Sequence, residues 1–329
     1  MKCTNRIRII RLLCVFCVAA LFATGCGKSK ATLPQEYNAY SYEESILNET
    51  VEVNSSYFAE DLCVIEPVNF GMEKIDSQVA HGAGAFNVTT NEVLYNQNIF
   101  DQLYPASTTK ILTAYIILRD CNLSSVVTVS AQAAEQEPDS SVAGLKDGDT
   151  ITVHDLLYGL MLASGNDAAE ALAEFHSGSV EAFAEEMNAT ALALGATGSN
   201  FKNPSGLPDK QHYTTVYDMY LIFSKALEYP EFKEIISSQK KSVVYTSRTG
   251  QRIERTYYNT NKFMTGEYPY AKKFTLVGGK TGTTGAAKYC LVLLSENPAG
   301  DDIITIVYKA DCAHNLYLLH RQILSNFAK

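Results

Sequence analysis

Strand-like segments at both ends of the chain enclose a helical middle, and this order restricts the fold more than any other feature. Gly82–Asn98 alternates in the manner of two strands, with a turn near its centre. From about residue 107 to 228 apolar residues recur at helical spacing, and strand patterns return from about residue 243. A final helix is predicted for residues 314–327. We therefore expect an α+β fold in which the two ends of the chain close one sheet.

The first 26 residues have the pattern of a bacterial export signal. Four basic residues precede an uncharged apolar run at residues 12–23, which is too short to span a membrane comfortably. The run ends in ATGC, and this resembles the lipobox in which the last residue, here Cys26, becomes lipidated. A leucine is usual where Ala23 stands, so simple cleavage and an uncleaved anchor remain alternatives. We predict a signal peptide at residues 1–25 and a lipid on Cys26.

The rest of the chain is predicted to be a tether followed by one domain. Residues 26–60 carry Ser, Asn, Glu and Tyr without a sustained period, whereas residues 61–329 carry the strand and helix patterns. Residues 1–25 contain four basic and no acidic residues, so their removal changes the net charge from −9 to −13. Such an acidic surface argues against nucleic-acid binding. Export places the protein outside the cytoplasm, either lipid-anchored at the outer face of the bacterial membrane or secreted.

Three short polar motifs carry the candidate chemistry, and the first is Ser107–Lys110 (STTK). The Ser107 and Lys110 side chains lie one helical turn apart, close enough to form a hydrogen bond. A free lysine has a pKa of about 10.4 and is protonated at neutral pH. Burial and a second nearby cation would lower that pKa, and Lys280 could supply the second charge. Neutral Lys110 could then accept the proton of a nucleophilic Ser107.

The second motif, Ser164–Asn166 (SGN), interrupts a helical pattern at its glycine. A tight turn at this point presents two polar side chains, although a plain connection between two helices would look similar. In the functional interpretation, Ser164 relays a proton to a leaving amine. Asn166 is then expected to form hydrogen bonds with a substrate amide and with Lys110.

The third motif is Lys280–Gly282 (KTG), which follows a strand-like segment and two glycines. Lys280 and Thr281 are suited to hold a substrate carboxylate. The backbone N–H groups of Thr283 and Ser107 are expected to form an oxyanion hole. A plain β-turn would explain the triplet equally well if it stood alone.

The remaining candidates for chemistry are weaker. Ser-x-x-Lys also occurs at Ser199, Ser237 and Ser238 in polar stretches, and a second Ser-x-Asn at Ser295 lies in a hairpin-like turn. The six histidines have no metal-ligand spacing, and no G-x-S-x-G, G-x-G-x-x-G or P-loop pattern is present. We therefore predict neither a metal nor an organic cofactor. The four cysteines after Cys26 are scattered, and one or two disulfides remain possible.

The three motifs in this order resemble those of the penicillin-recognising serine enzymes. The flanking residues are similar to the low-molecular-weight D-alanyl-D-alanine carboxypeptidases. The matching segments are Pro105–Lys110 (PASTTK), Leu156–Ala169 (LLYGLMLASGNDAA), Asn203–Leu207 (NPSGL), His212–Thr215 (HYTT), Asn259–Asn261 (NTN) and Gly279–Gly282 (GKTG). The resemblance covers about residues 65–310. It implies a β-lactamase/transpeptidase-like fold, with an antiparallel sheet flanked by helices, an all-helical subdomain, and the site between them.

The resemblance also implies an activity. Such enzymes remove the terminal D-Ala from peptidoglycan stem pentapeptides through an acyl-serine, here acyl-Ser107, and β-lactams inhibit them covalently. Many members continue into a C-terminal β domain and an amphipathic membrane helix, and here a lipid on Cys26 is expected to provide attachment instead. Some relatives carry a different residue where Thr283 stands, so substrate preference stays open.

Two alternatives belong to other functional classes. A class A β-lactamase needs a Glu-x-x-x-Asn loop between the second and third motifs, and no glutamate between Asn166 and Lys280 has an asparagine four residues later. A non-catalytic β-lactam-sensing or wall-binding lipoprotein is opposed by the intact Ser107, Lys110 and Lys280. Acylation by penicillin would separate this second alternative from an enzyme.

Overall fold

The computed structural model describes residues 61–328, so the predicted signal peptide, Cys26 and the tether lie outside the described residues. The described chain forms two antiparallel sheets and eight α-helices. The strands are β1 (Gly82–Asn87), β2 (Glu92–Gln97), β3 (Val126–Thr128), β4 (Thr150–Thr152), β5 (Lys240–Thr246), β6 (Arg252–Tyr258), β7 (Thr275–Thr284), β8 (Lys288–Glu296) and β9 (Asp302–Ala310). The helices are α1 (Lys110–Asp120), α2 (Ala131–Ala134), α3 (Val153–Met161), α4 (Asn166–Ser177), α5 (Val180–Ala193), α6 (Val216–Ala226), α7 (Pro230–Ser237) and α8 (Ala313–Phe327).

The main sheet confirms that the strand segments at the two ends of the described residues pair with each other. Its strand order is β2-β1-β9-β8-β7, and β1 pairs antiparallel with β9, with Ala85 opposite Thr305. The first hairpin of the chain therefore lies beside the last strand. The α+β class follows from this arrangement, because the helical middle connects two halves of one antiparallel sheet.

Both faces of the main sheet are covered by helices. In β8, Leu291 and Leu293 pack with α8, whereas Val292 and Leu294 belong to the larger core on the other face. Helix α6 contacts β1 and β9 on that second face. A strand covered on both faces is apolar without alternation, as the run of buried residues in β8 and β9 shows.

Helix α1 is the centre of the helical region. Every residue from Lys110 to Leu118 is buried, which explains the nearly uniform apolar pattern that follows the first motif. Helices α3 to α7 all contact α1. The first motif thus begins a helix whose position is fixed on all sides by packing.

A hairpin formed by residues 240–258 lies where strand patterns return in the sequence, but it does not join the main sheet. Strands β5 and β6 form a separate sheet with β3 and β4, in the order β3-β4-β5-β6. The sequence did not indicate β3 or β4, because three residues are too few to show an alternating pattern.

The third motif lies inside strand β7 rather than after a strand. The strand continues through Gly278 and Gly279 because neighbouring backbone leaves no space for a side chain there. A Cβ on Gly278 would lie 2.2 Å from the Ile236 carbonyl oxygen, and one on Gly279 would lie 2.0 Å from that of Val292. Strand β7 is an edge strand, so one side of it faces the helical region instead of another strand.

Three further findings concern residues 61–328. Their cysteines are unpaired, and Cys290 is fully buried in the core. No helix in this range has both the length and the apolar character needed to cross a bilayer. Nor does any group of three His, Cys, Asp or Glu side chains in this range come together as a possible metal site.

Candidate active site

Ser107 and Lys110 meet at the start of α1. Ser107 lies in a 3-10 turn, Ala106–Thr109, that leads directly into the helix. The Lys110 ammonium nitrogen is 3.0 Å from Ser107 Oγ, 2.8 Å from Asn166 Oδ1 and 2.7 Å from the Ser205 carbonyl oxygen. Lys110 is fully buried, whereas Ser107 is partly exposed. The geometry brings together the pair that the sequence indicated, and it adds a third contact to Lys110.

These three contacts determine which way a neutral Lys110 points its lone pair. A neutral amine has two N–H bonds and one lone pair, whereas Asn166 Oδ1 and the Ser205 carbonyl can only accept. The two N–H bonds therefore go to these acceptors. The lone pair is left for the hydroxyl of Ser107, which is the only neighbour of the three that can donate.

The environment of Lys110 favours this neutral form. Burial lowers the pKa of Lys110 well below its usual value, and the charge of Lys280 lowers it further. The carboxylates of Asp167 and Glu170 act in the opposite direction but are smaller effects. Burial also lowers the pKa of Lys280, to about 7. Lys110 is thus arranged to act as a base near neutral pH.

The Lys280 side chain ends behind Ser164. Its ammonium nitrogen donates to Ser164 Oγ at 2.9 Å and to the Thr281 carbonyl oxygen at 2.9 Å. Lys280 is 1% exposed. Ser164 has a φ of 57°, a left-handed conformation that few residues other than glycine adopt, and this aims its side chain at the site.

A buried carboxylate next to the second motif holds one wall of the site. Asp167 accepts hydrogen bonds from the backbone N–H groups of Ala143, Gly144 and Leu145 at 2.7 to 2.9 Å, and from that of Ala168. The Asn166 N–H donates to the Ser141 carbonyl. The loop that carries Ser141 is therefore fixed to the start of α4 by charge-assisted hydrogen bonds.

The segment Asn203–Leu207 holds Lys110 from the other side. Asn203 Oδ1 accepts from the backbone N–H groups of Ser205, Gly206 and Leu207. Gly206 has a φ of +85°, and a Cβ there would lie 1.9 Å from the Ala106 carbonyl oxygen. Only glycine lets the segment come this close, and the close approach places the Ser205 carbonyl on Lys110.

His212 supports the first motif without facing the site. Its Nδ1 accepts from the backbone N–H of Lys202 at 3.2 Å, so its Nε2–H donates to Thr109 Oγ1 at 2.9 Å. Burial lowers the pKa of His212 to about 4, and the ring is therefore neutral at pH 7. Both observations indicate a structural role for His212.

Strand β7 comes close to the backbone of Ser107 at Gly282. A Cβ at this position would lie 2.8 Å from the Pro105 carbonyl oxygen and 3.0 Å from Ser107 N. Thr283 follows on the same strand and lines the same two cavities as Ser107. The absence of a side chain at Gly282 is thus what allows the third motif to lie against the first.

Two cavities meet at Ser107. Cavity 1, of about 360 Å³, extends along Thr260, Lys262 and Thr281. Cavity 2, of about 340 Å³, extends in another direction. It is lined by residues that include Glu137, Asp139, Asn166 and Ser205. Three residues line both cavities, namely Ser107, Ser141 and Thr283. A ligand that fills both cavities would therefore lie across Ser107.

The other copies of the short motifs lie elsewhere. Ser199 Oγ bonds to the Asp218 carboxylate, and both Ser237 and Ser238 bond to a carbonyl at the end of α7. Asn297, which follows Ser295, accepts from backbone N–H groups within its own turn. None of these residues lines cavity 1 or cavity 2.

Several site residues had no assigned role at the sequence level. Asp167 and Ser205 lie inside segments that resemble the family, so the sequence indicated that these segments are near the site. It did not indicate which contacts the two residues make. Thr260 stood in the NTN segment, and its hydroxyl is 2.6 Å from that of Thr281. Lys262 follows this segment directly and had no signal, because an isolated lysine is usually a surface residue.

Comparison with known proteins agrees with this geometry. The sequence pattern of the family described as D-alanyl-D-alanine carboxypeptidase matches residues 72–312. The D-alanyl-D-alanine carboxypeptidase DacF of Bacillus subtilis is 36% identical over 227 residues, which are 66% of this chain and 55% of DacF. The D-alanyl-D-alanine carboxypeptidase of Streptomyces sp. K15 is 35% identical over 224 residues, which are 65% and 75% of the two chains.

A solved structure gives the same result for the fold. The crystal structure of the Streptomyces K15 DD-transpeptidase superposes with a TM-score of 0.70 at 30% identity, covering 75% of this chain and 96% of that one. Its fold class is the one expected from the sequence. The chain thus spans nearly all of this structure but little more than half of DacF. The chain belongs to the D-alanyl-D-alanine carboxypeptidase family.

Proposed function

We propose that this protein is a serine-type D-alanyl-D-alanine carboxypeptidase that removes the terminal D-Ala from peptidoglycan stem pentapeptides. The observation that carries the proposal is the contact between Ser107 and Lys110, in which the lone pair of neutral Lys110 is directed at the Ser107 hydroxyl. This contact lies at the junction of the two cavities. A peptide bond lying across this junction has substrate on both sides of Ser107. The family and its relatives support the same reaction.

Acylation begins when Lys110 takes the proton of Ser107 Oγ. The oxygen attacks the carbonyl carbon of the penultimate D-Ala, and the backbone N–H groups of Ser107 and Thr283 stabilise the oxyanion. The C–N bond then breaks. The proton on Lys110 passes to the leaving amine through the hydroxyl of Ser164, whose oxygen is held by Lys280. Free D-Ala leaves, and the rest of the peptide stays as an ester on Ser107.

Deacylation repeats the same steps with water. Lys110 takes a proton from the water, whose oxygen attacks the ester carbon, and the proton then returns to Ser107 Oγ as the ester bond breaks. Asn166 and the Ser205 carbonyl keep Lys110 in place throughout. In this scheme Thr281 contacts substrate. Lys280, which was expected to hold a carboxylate, acts through Ser164 and through its charge on Lys110.

The test is release of D-Ala from diacetyl-L-Lys-D-Ala-D-Ala by the full-length protein. Ser107→Ala should abolish release, whereas Ser237→Ala should leave it unchanged because Ser237 is an exposed copy of the same motif. An added amine acceptor would reveal transpeptidation, the reaction in the name of the K15 structure. No release by the wild-type protein, or release that persists in Ser107→Ala, would refute the proposal.

Covalent inhibition by β-lactams follows from the same geometry. A β-lactam acylates Ser107 in place of the peptide. Its leaving amine remains joined to the acyl group after the ring opens, so it stays in the site and hinders the water that would hydrolyse the ester. Mass spectrometry should show one penicilloyl group on the wild-type protein and none on Ser107→Ala. A folded wild-type protein that remains unlabelled would instead favour the non-catalytic sensor or wall-binding protein. The comparisons give no support to a class A β-lactamase.

We further propose that the enzyme acts outside the cytoplasm, since peptidoglycan is its substrate and residues 1–25 have an export pattern. In this arrangement residues 26–60 link a lipid on Cys26 to the catalytic domain at 61–329. Metabolic labelling with a fatty-acid analogue tests the lipid, because Cys26→Ser should lose the label. A label that persists in Cys26→Ser would refute lipidation at this residue.

A further inference from the structure

Cavity 1 contains one charged side chain among the described residues that line it, and this side chain is Lys262. The other polar lining groups are hydroxyls, including those of Thr260 and Thr281. Cavity 2 differs, because its charged lining groups within residues 61–328 are the carboxylates of Glu137 and Asp139. A negatively charged end of a substrate is therefore attracted into cavity 1 and repelled from cavity 2.

The lysine of the third motif is not available for such an end. Lys280 does not line cavity 1, it is 1% exposed, and its ammonium already donates to Ser164 Oγ and to the Thr281 carbonyl. Because Lys280 is buried and lies outside the cavity lining, a direct ion pair with a substrate carboxylate would require this side chain or the groups that cover it to move. Its pKa of about 7 also means that it carries a full charge only below neutral pH.

Lys262 has the opposite properties. Its side chain is 41% exposed, and its ammonium is 2.9 Å from the Glu267 carboxylate, whose side chain is 57% exposed. Its backbone N–H bonds to Tyr317 OH, another lining group of cavity 1, and this fixes the start of the side chain. An exposed ion pair is weak, so Lys262 can exchange Glu267 for another carboxylate at small cost.

Two hydroxyls complete the surroundings. Thr260 Oγ1 and Thr281 Oγ1 are 2.6 Å apart, so one hydroxyl proton lies between them. Two hydroxyls carry two protons, and the second remains able to donate into the cavity. An anion in cavity 1 would then receive a hydrogen bond from this hydroxyl and an ion pair from Lys262.

We propose that Lys262 is a specificity-determining residue that pairs with the terminal carboxylate of the substrate in cavity 1, in exchange for Glu267. This inference rests on the proposed function, because it identifies the group that distinguishes a free C-terminus from a blocked one. It also orients the peptide, with its leaving D-Ala in cavity 1 and its acyl portion in cavity 2.

The test compares diacetyl-L-Lys-D-Ala-D-Ala with the same peptide ending in a carboxamide. The measured quantity is the ratio of kcat/KM for the acid to that for the amide, using the full-length protein. Lys262→Met should lower this ratio by about tenfold or more, since a charge-assisted contact is lost. Lys262→Arg should keep most of the ratio. Lys272→Met is the matched control, because Lys272 is an exposed lysine that lines neither cavity.

Glu267→Gln provides a second measurement with the opposite sign. Loss of the competing carboxylate should raise kcat/KM for the acid by about two- to fivefold, the value of an exposed ion pair. A ratio that is unchanged in Lys262→Met, or a fall that is equal for both peptides, would overturn the inference while leaving the proposed function intact. The absence of Ser107-dependent release from either peptide would overturn both.

Discussion

Gly282 provides the sharpest test of the site, because β7 touches the nucleophile's backbone there. A Cβ at this position would lie 2.8 Å from the Pro105 carbonyl oxygen, 3.0 Å from Ser107 N and 3.1 Å from Thr108 N. All three atoms belong to backbone, which cannot rotate away as a flexible side chain would. In Gly282→Ala, either β7 or the turn that carries Ser107 must therefore move. The two proposed oxyanion donors lie on opposite sides of this contact.

The expected magnitude comes from the loss of one donor. Removing a single oxyanion-hole hydrogen bond typically lowers kcat by about 10²–10³, or about 2.7–4 kcal/mol. Forcing packed backbone apart costs about 1–3 kcal/mol of stability, whereas a domain is typically stable by about 5–15 kcal/mol. Gly282→Ala should thus remain folded at 25 °C and acylate at least about 100 times more slowly.

The measurement is the rate constant for acylation by a chromogenic cephalosporin, together with a urea unfolding curve for each protein. Gly285→Ala is the control, because Gly285 lies at the tip of the same hairpin and a Cβ there would meet nothing within 4 Å. It should acylate within about twofold of the wild-type rate. If Gly282→Ala is folded and acylates within about fivefold of the wild type, the close approach at Gly282 does not matter for catalysis.

Three other substitutions test the buried charges. Lys110→Met should lower the acylation rate by about 10²–10⁴ without unfolding the protein, since the base is lost and the volume is nearly kept; near-normal acylation would exclude Lys110 as the base. Asp167→Asn should destabilise the fold by about 2–4 kcal/mol in urea unfolding, because the NH₂ of the new amide faces backbone N–H groups. The control is Asp147→Asn, which alters an exposed carboxylate and should change the stability little. Lys280→Met should remove a rise in unfolding free energy between about pH 7 and 10, because only the unfolded state keeps the Lys280 proton in that range. Its slope is about 1.4 kcal/mol per pH unit at most, and an identical slope in both proteins would contradict the low pKa.

The fold could be predicted well where long patterns are repeated. Helices α1 and α8 carry enough apolar residues to reveal their helical period. The pairing of β1 with β9 followed from the strand patterns at both ends of the domain. The short strands β3 and β4 could not be predicted, because three residues show no period and each strand is held by pairing with a neighbour, β3 with β4 and β4 with β5. The extension of β7 through the third motif was hidden for another reason. Glycines usually weaken a strand, but at Gly278 and Gly279 packing excludes any larger residue.

In the candidate site, the sequence indicated the proposed reacting groups and Asn166 as a partner of Lys110, but not the other groups that hold them. Ser107, Lys110 and Asn166 could be named from short motifs, because their chemistry requires fixed spacing or a recognisable turn. The carbonyl of Ser205 could not, since every residue has a carbonyl and only the fold decides which one reaches Lys110. Lys262 is similar, because its position in cavity 1 depends on the path of the chain after β6.

The two buried lysines show why a motif alone does not assign a role. Lys110 and Lys280 are separated by 170 positions in sequence, yet the charge of Lys280 is the second largest influence on the pKa of Lys110. Burial makes each of them costly to protonate, so neither serves well as a permanent partner for an anion. The same burial suits Lys110 to the proposed transfer of a proton, because its lowered pKa favours the neutral amine that accepts one. A substrate carboxylate is better matched by an exposed lysine, and cavity 1 offers Lys262 for that purpose. In the proposed scheme the buried Lys110 moves the proton and the exposed Lys262 binds the charge, and this division follows from solvent access.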